Sequence, residues 1–394
     1  MSVKLNSTGG GSVTLDSPST ASNYTITLPS AAGTLATTTG TLASPTITGT
    51  VAGGATYTSP TLTGASITAA NSNTVEATSG PTSSQLAGNR NKIINGRMEI
   101  NQRGVTSGVF SGYFLDRWGV SGVTTTGLIT SSLPTGYAQA ISVNRTSASG
   151  TAVVYQRIES TNCFDLAGNS ATVSFWAQNV TGLSSITVTL SYATAVDNFA
   201  STTAINTVTV SSSPSASWTY YTATFSSLPA STTNGLQLAI NGTTASTGTL
   251  GVTGVQLEKG ATATPFENRL YGTELALCQR YCINYNSANA NGPYTRYTYG
   301  ECNSTTQITG NIYVPFPMRV TPSLTTTSTA SNYCAYSKAT VTAGSAVPAI
   351  GPDGSTNQTV QVYLNVASGL IQGNAGAIMS NNNNTSYLLF TAEL

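Results

Sequence analysis

The chain has 394 residues, only 7% of them charged, and its formal net charge is +1. This balance excludes the broad basic surface that nucleic-acid binding requires, and it does not fit the high net charge of disordered chains. Histidine is absent, which excludes the common Ser-His and Cys-His catalytic arrangements and the usual zinc-hydrolase motifs.

Residues 1–89 carry only three charged side chains and alternate Thr or Ser with small apolar residues. Such period-2 alternation predicts β-strands, for example at 12–15 and 24–28. Segment 44–50 recurs in similar form at 59–65. Large apolar side chains are scarce here, so we expect several copies of the segment to associate. A flexible Thr/Ser linker is the alternative.

Residues 90–104 carry five charged side chains, and ordinary folding signals begin there. Residues 105–268 contain short runs rich in β-branched and aromatic residues, separated by turn residues about every ten positions. This spacing is typical of a β-sandwich or jelly roll. The clearest predicted strands are 152–158, 171–177, 186–192, 219–225 and 236–240.

A single convincing helix is predicted over residues 269–282. Tyr271, Leu275, Cys278 and Cys282 recur at spacings that place them on one helix face, which predicts a packed apolar stripe.

A second β region follows at residues 283–394, with predicted strands at 306–318, 359–366 and 386–392. Nine of the nineteen tyrosines lie in this region. Together these patterns predict an all-β fold with one short helix.

The five cysteines are scattered, and we interpret them as buried free thiols. No Walker-type phosphate loop or dinucleotide fingerprint occurs, so no cofactor or metal site is predicted.

Glycan cleavage needs two carboxylates that flank the scissile bond. The available carboxylates are dispersed, and we expect Asp116 to form a structural ion pair beside Arg117 and Trp118. No catalytic residue is therefore assigned. The three tryptophans, Trp118, Trp176 and Trp218, are predicted to lie in the sandwich core.

The amino-terminal residues 1–15, MSVKLNSTGGGSVTL, resemble the start of tailed-phage fibre and tail proteins. Residues 91–104, NKIINGRMEINQRG, together with 114–118, FLDRW, are similar to the start of a carbohydrate-binding-module-like jelly roll found in phage and prophage tail proteins. That pattern often has an acidic residue where this chain has Arg97, so a cation-binding role is not carried over.

The resemblance continues toward the carboxyl end. Residues 255–267, VQLEKGATATPFE, followed by 274–281, ELALCQRY, resemble the last strand of that module and the helix after it. Residues 314–322, VPFPMRVTP, are similar to the β domain that often follows.

The resemblance implies a homotrimeric virion fibre. Residues 1–89 would dock on a phage tail or baseplate protein and help trimerisation, and 90–268 would form the jelly roll. Residues 269–282 would connect it to a distal β domain, 283–394, that meets a host surface glycan. We expect assembly in the host cytoplasm, because no signal-peptide core follows Met1 and no apolar run has membrane-spanning length.

Candidate receptor-binding residues lie in the last region. Tyrosine gives a large rigid contact at low entropy cost, and sugars stack on aromatic faces. Strand alternation predicts Tyr297 and Tyr299 on one face with Arg296 opposite. The amide-rich run at 381–384 is predicted to be an exposed loop. The full set is Tyr294, Arg296, Tyr297, Tyr299, Asn381, Asn382, Asn383 and Asn384, and the tyrosines could equally belong to the core or the trimer interface.

Two other classes remain open. A virion structural or decoration protein would trimerise without binding a receptor. A surface-glycan depolymerase would cleave host polysaccharide.

Overall fold

The computed structural model describes residues 3–6, 9, 12–15, 90–146, 150–288 and 294–394. The chain forms two compact units, Met1–Asn73 and Thr74–Leu394.

In the first unit, β1 (Val3–Asn6) pairs antiparallel with β2 (Ser12–Leu15), and Val3 lies opposite Leu15. The predicted strand at 12–15 is thus confirmed. The predictions at 24–28, 44–50 and 59–65 lie outside the described residues.

The second unit opens with a ten-stranded antiparallel sheet, which we call the first sandwich. Its strands are β3 (Ser107–Gly108), β4 (Gly112–Leu115), β5 (Trp118–Ser121), β6 (Thr125–Ile129), β7 (Ala140–Arg145), β8 (Gly150–Ile158), β9 (Ala171–Ala195), β10 (Asn198–Ser211), β11 (Thr219–Phe225) and β12 (Leu236–Lys259). Short 3₁₀ helices occupy Ser160–Asn162, Phe164–Leu166 and Ala230–Asn234.

Two long strands, β9 with 25 residues and β12 with 24, run through both layers of this sandwich. The first half of β12 lies between β8 and the second half of β9, and its second half lies between β7 and the first half of β9. Strand β10 pairs with the second half of β9, and β11 pairs with its first half. Each layer therefore shares its two central strands with the other.

The two long strands change layer near Gly182, where their register shifts. Gly182 has a φ of +61°, and a Cβ atom there would lie 2.0 Å from the carbonyl oxygen of Thr247. Only glycine fits this left-handed, closely packed position.

The core between the layers is built from the alternating apolar positions of these strands. Trp118 is fully buried in it, and Val173, Phe175 and Leu257 contribute from β9 and β12. The all-β prediction is confirmed.

The helix is shorter than the sequence predicts. Helix α1 spans Tyr271–Gln279, and β13 already begins at Cys282. Cys278 is buried, but Tyr271 is largely exposed, so the predicted four-residue apolar stripe is wrong. The chain turns back into strand geometry at Arg280, where the backbone N–H of Tyr281 bonds the carbonyl of Cys278.

A second sandwich follows the helix. A three-stranded sheet of β13 (Cys282–Asn286), β16 (Ser323–Thr326) and β22 (Tyr387–Thr391) packs against a seven-stranded one. The larger sheet contains β14 (Arg296–Cys302), β15 (Gln307–Tyr313), β17 (Tyr333–Ser337), β18 (Thr340–Ala343), β19 (Ala349–Ile350), β20 (Thr359–Asn365) and β21 (Ala375–Ser380). A 3₁₀ helix spans Ala330–Asn332.

A buried ion pair joins the two sandwiches. Arg117 is fully buried, forms an ion pair with Glu393, and stacks 3.5 Å from the ring centroid of Tyr281. Arg103 reaches the same carboxylate at 2.9 Å. Burial, the largest single effect, opposes the charge on Arg117, but Glu393 together with the neighbouring Tyr281 and Tyr113 outweighs it, and the pKa of Arg117 is raised.

Within the described ranges, no helix combines the length and the apolar character needed to cross a membrane. The homotrimer stays a prediction.

Substituting Gly182→Ala should lower the free energy of unfolding by at least about 2 kcal/mol, because the new Cβ atom collides with backbone at a strained φ. Gly168→Ala is the matched control, since Gly168 has a φ of +73° but open space around it. Urea denaturation of both variants measures the difference. Equal losses would contradict the role of the close contact.

Substituting Glu393→Gln should cost about 3–5 kcal/mol of stability, because it leaves the buried Arg117 guanidinium without its counter-charge. The control is Asp353→Asn, an exposed carboxylate with no charged partner among the described residues, which should change stability by less than about 0.5 kcal/mol. Equilibrium denaturation of the full chain distinguishes the two. Similar small effects would show that the junction tolerates an unpaired arginine.

Candidate functional site

An open groove of about 760 Å³ lies on the first sandwich, and four aromatic rings line it. We call it the aromatic groove and define it by Tyr137, Trp176, Tyr220 and Phe266. Its remaining lining residues are small or hydroxylated: Thr172, Thr222, Thr224, Ala261, Thr262, Ala263, Thr264 and Pro265.

The floor of the groove comes from the outward positions of two paired strands. Trp176 on β9 lies directly opposite Tyr220 on β11, and their ring centroids are 5.5 Å apart. Thr172 lies opposite Thr224 in the same ladder. Because side chains alternate along a strand, the intervening Phe175 enters the core while Trp176 faces outward.

One wall of the groove is the loop after β12, and a buried carboxylate holds it in place. Glu258 is fully buried and accepts hydrogen bonds from the backbone N–H of Thr264 at 2.8 Å and from its hydroxyl at 2.6 Å. Gln256 accepts a bond from the backbone N–H of Glu267 at 2.8 Å. These contacts fix the loop that carries Phe266.

Tyr137 also lines the groove, beside Phe266. Its ring meets Phe266 edge-on at 5.8 Å, and the Arg97 guanidinium lies 5.7 Å from its centroid. It also packs over Gly254, where a Cβ atom would come within 2.7 Å of the ring. Burial raises the pKa of Tyr137, although Arg97 and a hydrogen bond with Trp176 partly offset this rise. The phenol therefore remains neutral at physiological pH.

No charged side chain is among the residues that line the aromatic groove. Its chemistry consists of aromatic faces and hydroxyl groups, which suits stacking against apolar C–H surfaces combined with hydrogen bonds to hydroxyls. The lining offers no carboxylate pair for bond cleavage.

The sequence prediction placed Trp118, Trp176 and Trp218 in the core. Trp118 is confirmed there, but Trp176 and Trp218 are only half-buried, and Trp176 lines the groove. The signal that was missed is the position of Trp176 in the alternation of β9. Trp176 lies on the same side of the strand as the polar Thr172 and Ser174, and not on the side of the apolar Val173 and Phe175.

The predicted binding residue Tyr297 is a core residue. It is 8% exposed, its hydroxyl lies 2.8 Å from that of Ser386, and its ring packs near Tyr333. Strand β14 has one extra residue here relative to β21, between the pairs made by Arg296 and Thr298. This β-bulge interrupts alternation, so the predicted common face for Tyr297 and Tyr299 is wrong.

The other predicted residues in β14 and just before it remain accessible. Tyr294 is exposed, and Tyr299 is 71% exposed. Arg296 lies 5.5 Å from the ring centroid of Tyr336. Their binding role stays a prediction.

Two of the four amide side chains in the loop at 381–384 form hydrogen bonds within the protein. Asn381 donates to the carbonyl of Ser331 at 2.9 Å, and the side chain of Asn383 accepts from the backbone and hydroxyl of Thr385. Asn382 adopts a φ of 46°, and it is exposed together with Asn384. Two of the four amides thus shape the loop, and the role of the run in binding stays a prediction.

All five cysteines are free and buried, which confirms the sequence interpretation. Burial raises the pKa of Cys163 to about 12, so the thiol form dominates at neutral pH. Among the described residues, no three His, Cys, Asp or Glu side chains are placed to hold a metal ion.

Asp116 has a strongly shifted pKa, raised to about 6 by burial and partly offset by hydrogen bonds from Gln102. The predicted ion pair with Arg117 is wrong, since Arg117 turns to Glu393 while Asp116 accepts both the backbone and side-chain N–H groups of Gln102. Asp116 is fully buried and does not line the aromatic groove, so its role is structural.

No known family model matches the chain, and no curated protein does. Among solved structures, the enzymatically active domain of bacteriophage CBA120 tailspike protein 4 aligns at 13% identity with a TM-score of 0.31, covering 43% of this chain. The chain spans only 22% of that domain's length.

Two carbohydrate-binding modules also align with the chain. TmCBM61, solved in complex with β-1,4-galactotriose, has 14% identity and a TM-score of 0.28, over 43% of this chain and 99% of its own. The C-terminal family 22 module of Clostridium thermocellum Xyn10B has 17% identity and a TM-score of 0.28, over 38% of this chain and 89% of its own. Similarities of this size carry no conclusion about function, which is inferred below from the chain's own residues.

The raised pKa of Asp116 predicts a specific pH dependence of stability. Between about pH 4 and pH 6 the folded state holds a proton here that the unfolded chain releases, so stability falls as pH rises through that window. Asp116→Asn removes this fall. We expect the stability of the variant relative to the parent to increase by up to about 3 kcal/mol between pH 4 and pH 7, as measured by urea denaturation. A pH-independent difference would contradict the shift.

Proposed function

We propose that the chain is a phage tail fibre protein that adheres to the host cell by binding a surface glycan in the aromatic groove. The observation that carries this proposal is the pairing of Trp176 with Tyr220 on an open, uncharged surface of the first sandwich.

The groove matches the chemistry of a sugar. A pyranose ring presents an apolar C–H face that stacks on an indole or phenol ring, while its hydroxyls lie at the rim of the contact. The exposed hydroxyls of Thr222 and Thr262 can donate and accept hydrogen bonds, whereas Thr172, Thr224 and Thr264 already donate theirs within the protein. Because Glu258 and Gln256 fix the neighbouring loop, little side-chain ordering remains to oppose binding.

The fibre role draws support from the sequence resemblance at 1–15 and 91–104. The low charge of the chain also suits a rigid assembly. In a homotrimer, three weak glycan sites would act together, and several fibres on one particle would raise the avidity further. Fast exchange at each single site is compatible with lasting attachment of the particle.

The groove is tested by the double substitution Trp176→Ala and Tyr220→Ala. Loss of both stacking faces should weaken binding to neutral oligosaccharides at least tenfold, which corresponds to about 1.4 kcal/mol. Binding of the full chain to an oligosaccharide array provides the measurement. Phe164→Ala is the control, because Phe164 is an exposed aromatic of the same sandwich outside the groove.

The adhesion role needs a second measurement on the same proteins. The purified full chain, added to host cells before phage, should block adsorption in proportion to dose, and the double variant should block less. Unchanged array binding by the double variant would refute the groove. Array binding without any block of adsorption would instead favour a virion structural protein.

A further inference from the structure

A second groove, of about 690 Å³, lies on the outer face of the second sandwich. We call it the distal face and define it by the six larger side chains that line it: Tyr299, Glu301, Asn303, Asn311, Tyr313 and Gln361. We propose that the distal face is a separate binding site for an uncharged saccharide. The proposal does not depend on the aromatic groove, since the two sites share no residue.

The strand register brings these side chains to one side of the sheet. Gly300 on β14 pairs with Gly310 on β15, which sets Tyr299 beside Asn311. Asn311 in turn lies opposite Gln361 on β20. Alternate positions such as Ile308 and Ile312 enter the core, so the polar and aromatic residues share the outer face.

Two tyrosines on this face are the most exposed of the chain's described aromatic side chains that carry a hydroxyl. Tyr299 is 71% exposed and Tyr313 is 75% exposed. Tyr313 lies two positions along β15 from Asn311, which makes it a diagonal neighbour of Tyr299. Such diagonal pairs stand about 7–8 Å apart, so the two rings can contact adjacent parts of one ligand.

Two of the polar groups around the tyrosines have defined neighbours. Asn303 donates to the hydroxyl of Thr309 at 2.6 Å. The Gln361 amide packs over Gly351, where a Cβ atom would come within 2.1 Å of its oxygen. A larger residue at Gly351 would push this flexible amide aside, so the glycine leaves room for Gln361 at the edge of the groove.

Glu301 distinguishes this face from an ordinary polar surface. It has no ion pair and no side-chain hydrogen bond with any described residue, although most of the other described carboxylates have such partners. A carboxylate accepts strong hydrogen bonds from donors such as neighbouring sugar hydroxyls. The same charge repels uronic and sialic acids, which selects for uncharged saccharides.

The unpaired carboxylate also argues against a second copy of the chain as the occupant. The lining residues include no cation, so a self-complementary contact would bring Glu301 near its own counterpart in a desolvated interface. Burying an unpaired charge in this way costs several kcal/mol. A saccharide leaves the groove partly hydrated and supplies donors, so it fits the face better.

The test uses the full chain on an array that carries neutral, uronic-acid and sialylated oligosaccharides. The variant Tyr299→Ala with Tyr313→Ala should lose at least tenfold of the signal for a set of neutral oligosaccharides. Trp176→Ala should retain that set. The matched control is Tyr271→Ala, since Tyr271 is an exposed tyrosine outside both grooves.

Glu301→Gln provides the second readout. It should weaken the same neutral set, because a neutral amide accepts weaker hydrogen bonds, and it should leave the oligomeric mass by light scattering unchanged. Either of two results overturns the proposal. The first is that binding of neutral oligosaccharides does not depend on the two tyrosines. The second is that removing the tyrosines changes the oligomeric mass. If Trp176→Ala has no effect while the double tyrosine variant does, the aromatic groove fails and the distal face stands.

Discussion

The buried ion pair between Arg117 and Glu393 is the constraint on which the arrangement of the two sandwiches depends. A guanidinium without water must be held by an opposite charge and by hydrogen bonds. Here the carboxylate comes from the last strand region of the chain and the arginine from the turn between β4 and β5. The aromatic ring of Tyr281 covers the same guanidinium. If either sandwich shifted relative to the other, the Arg117 guanidinium would be exposed to water or would lose its partner Glu393. The ion pair therefore fixes the orientation of the outer faces of the two sandwiches.

Charge elsewhere is used sparingly: no charged residue lines the aromatic groove, and Glu301 alone carries charge among the residues that line the distal face. In the site proposed at the aromatic groove, stacking and hydrogen bonds to neutral groups would supply the contact energy. The buried carboxylate of Glu258 contributes indirectly, because it shapes the loop beside the aromatic groove. Ionic strength should therefore have little influence on the glycan binding proposed for that groove, since salt screens charges and not ring contacts.

Much of the fold was predictable from the sequence, because strand alternation is a local property. The strands at 171–177 and 219–225 are found where their patterns predicted them. The side of the sheet that a residue faces depends on register, and register is not local. One extra residue in β14 turned Tyr297 into the core, and nothing in its neighbours signals that bulge. The groove around Trp176 was missed for a related reason: a tryptophan suggests core, whereas its position follows the polar set. The pairing of Arg117 with a residue 276 positions away could not be predicted from either segment alone.

The two strands that belong to both layers have a consequence for how the first sandwich comes apart. In a sandwich with independent sheets, one layer can open while the other persists. Here β9 and β12 carry ladder hydrogen bonds in both layers, so detaching either layer breaks the pairs that hold its counterpart. Local opening therefore approaches global unfolding in free energy, and the most protected backbone amides should exchange as one cooperative unit. Proteases need an unfolded segment of backbone, and this unit would expose one only on unfolding as a whole.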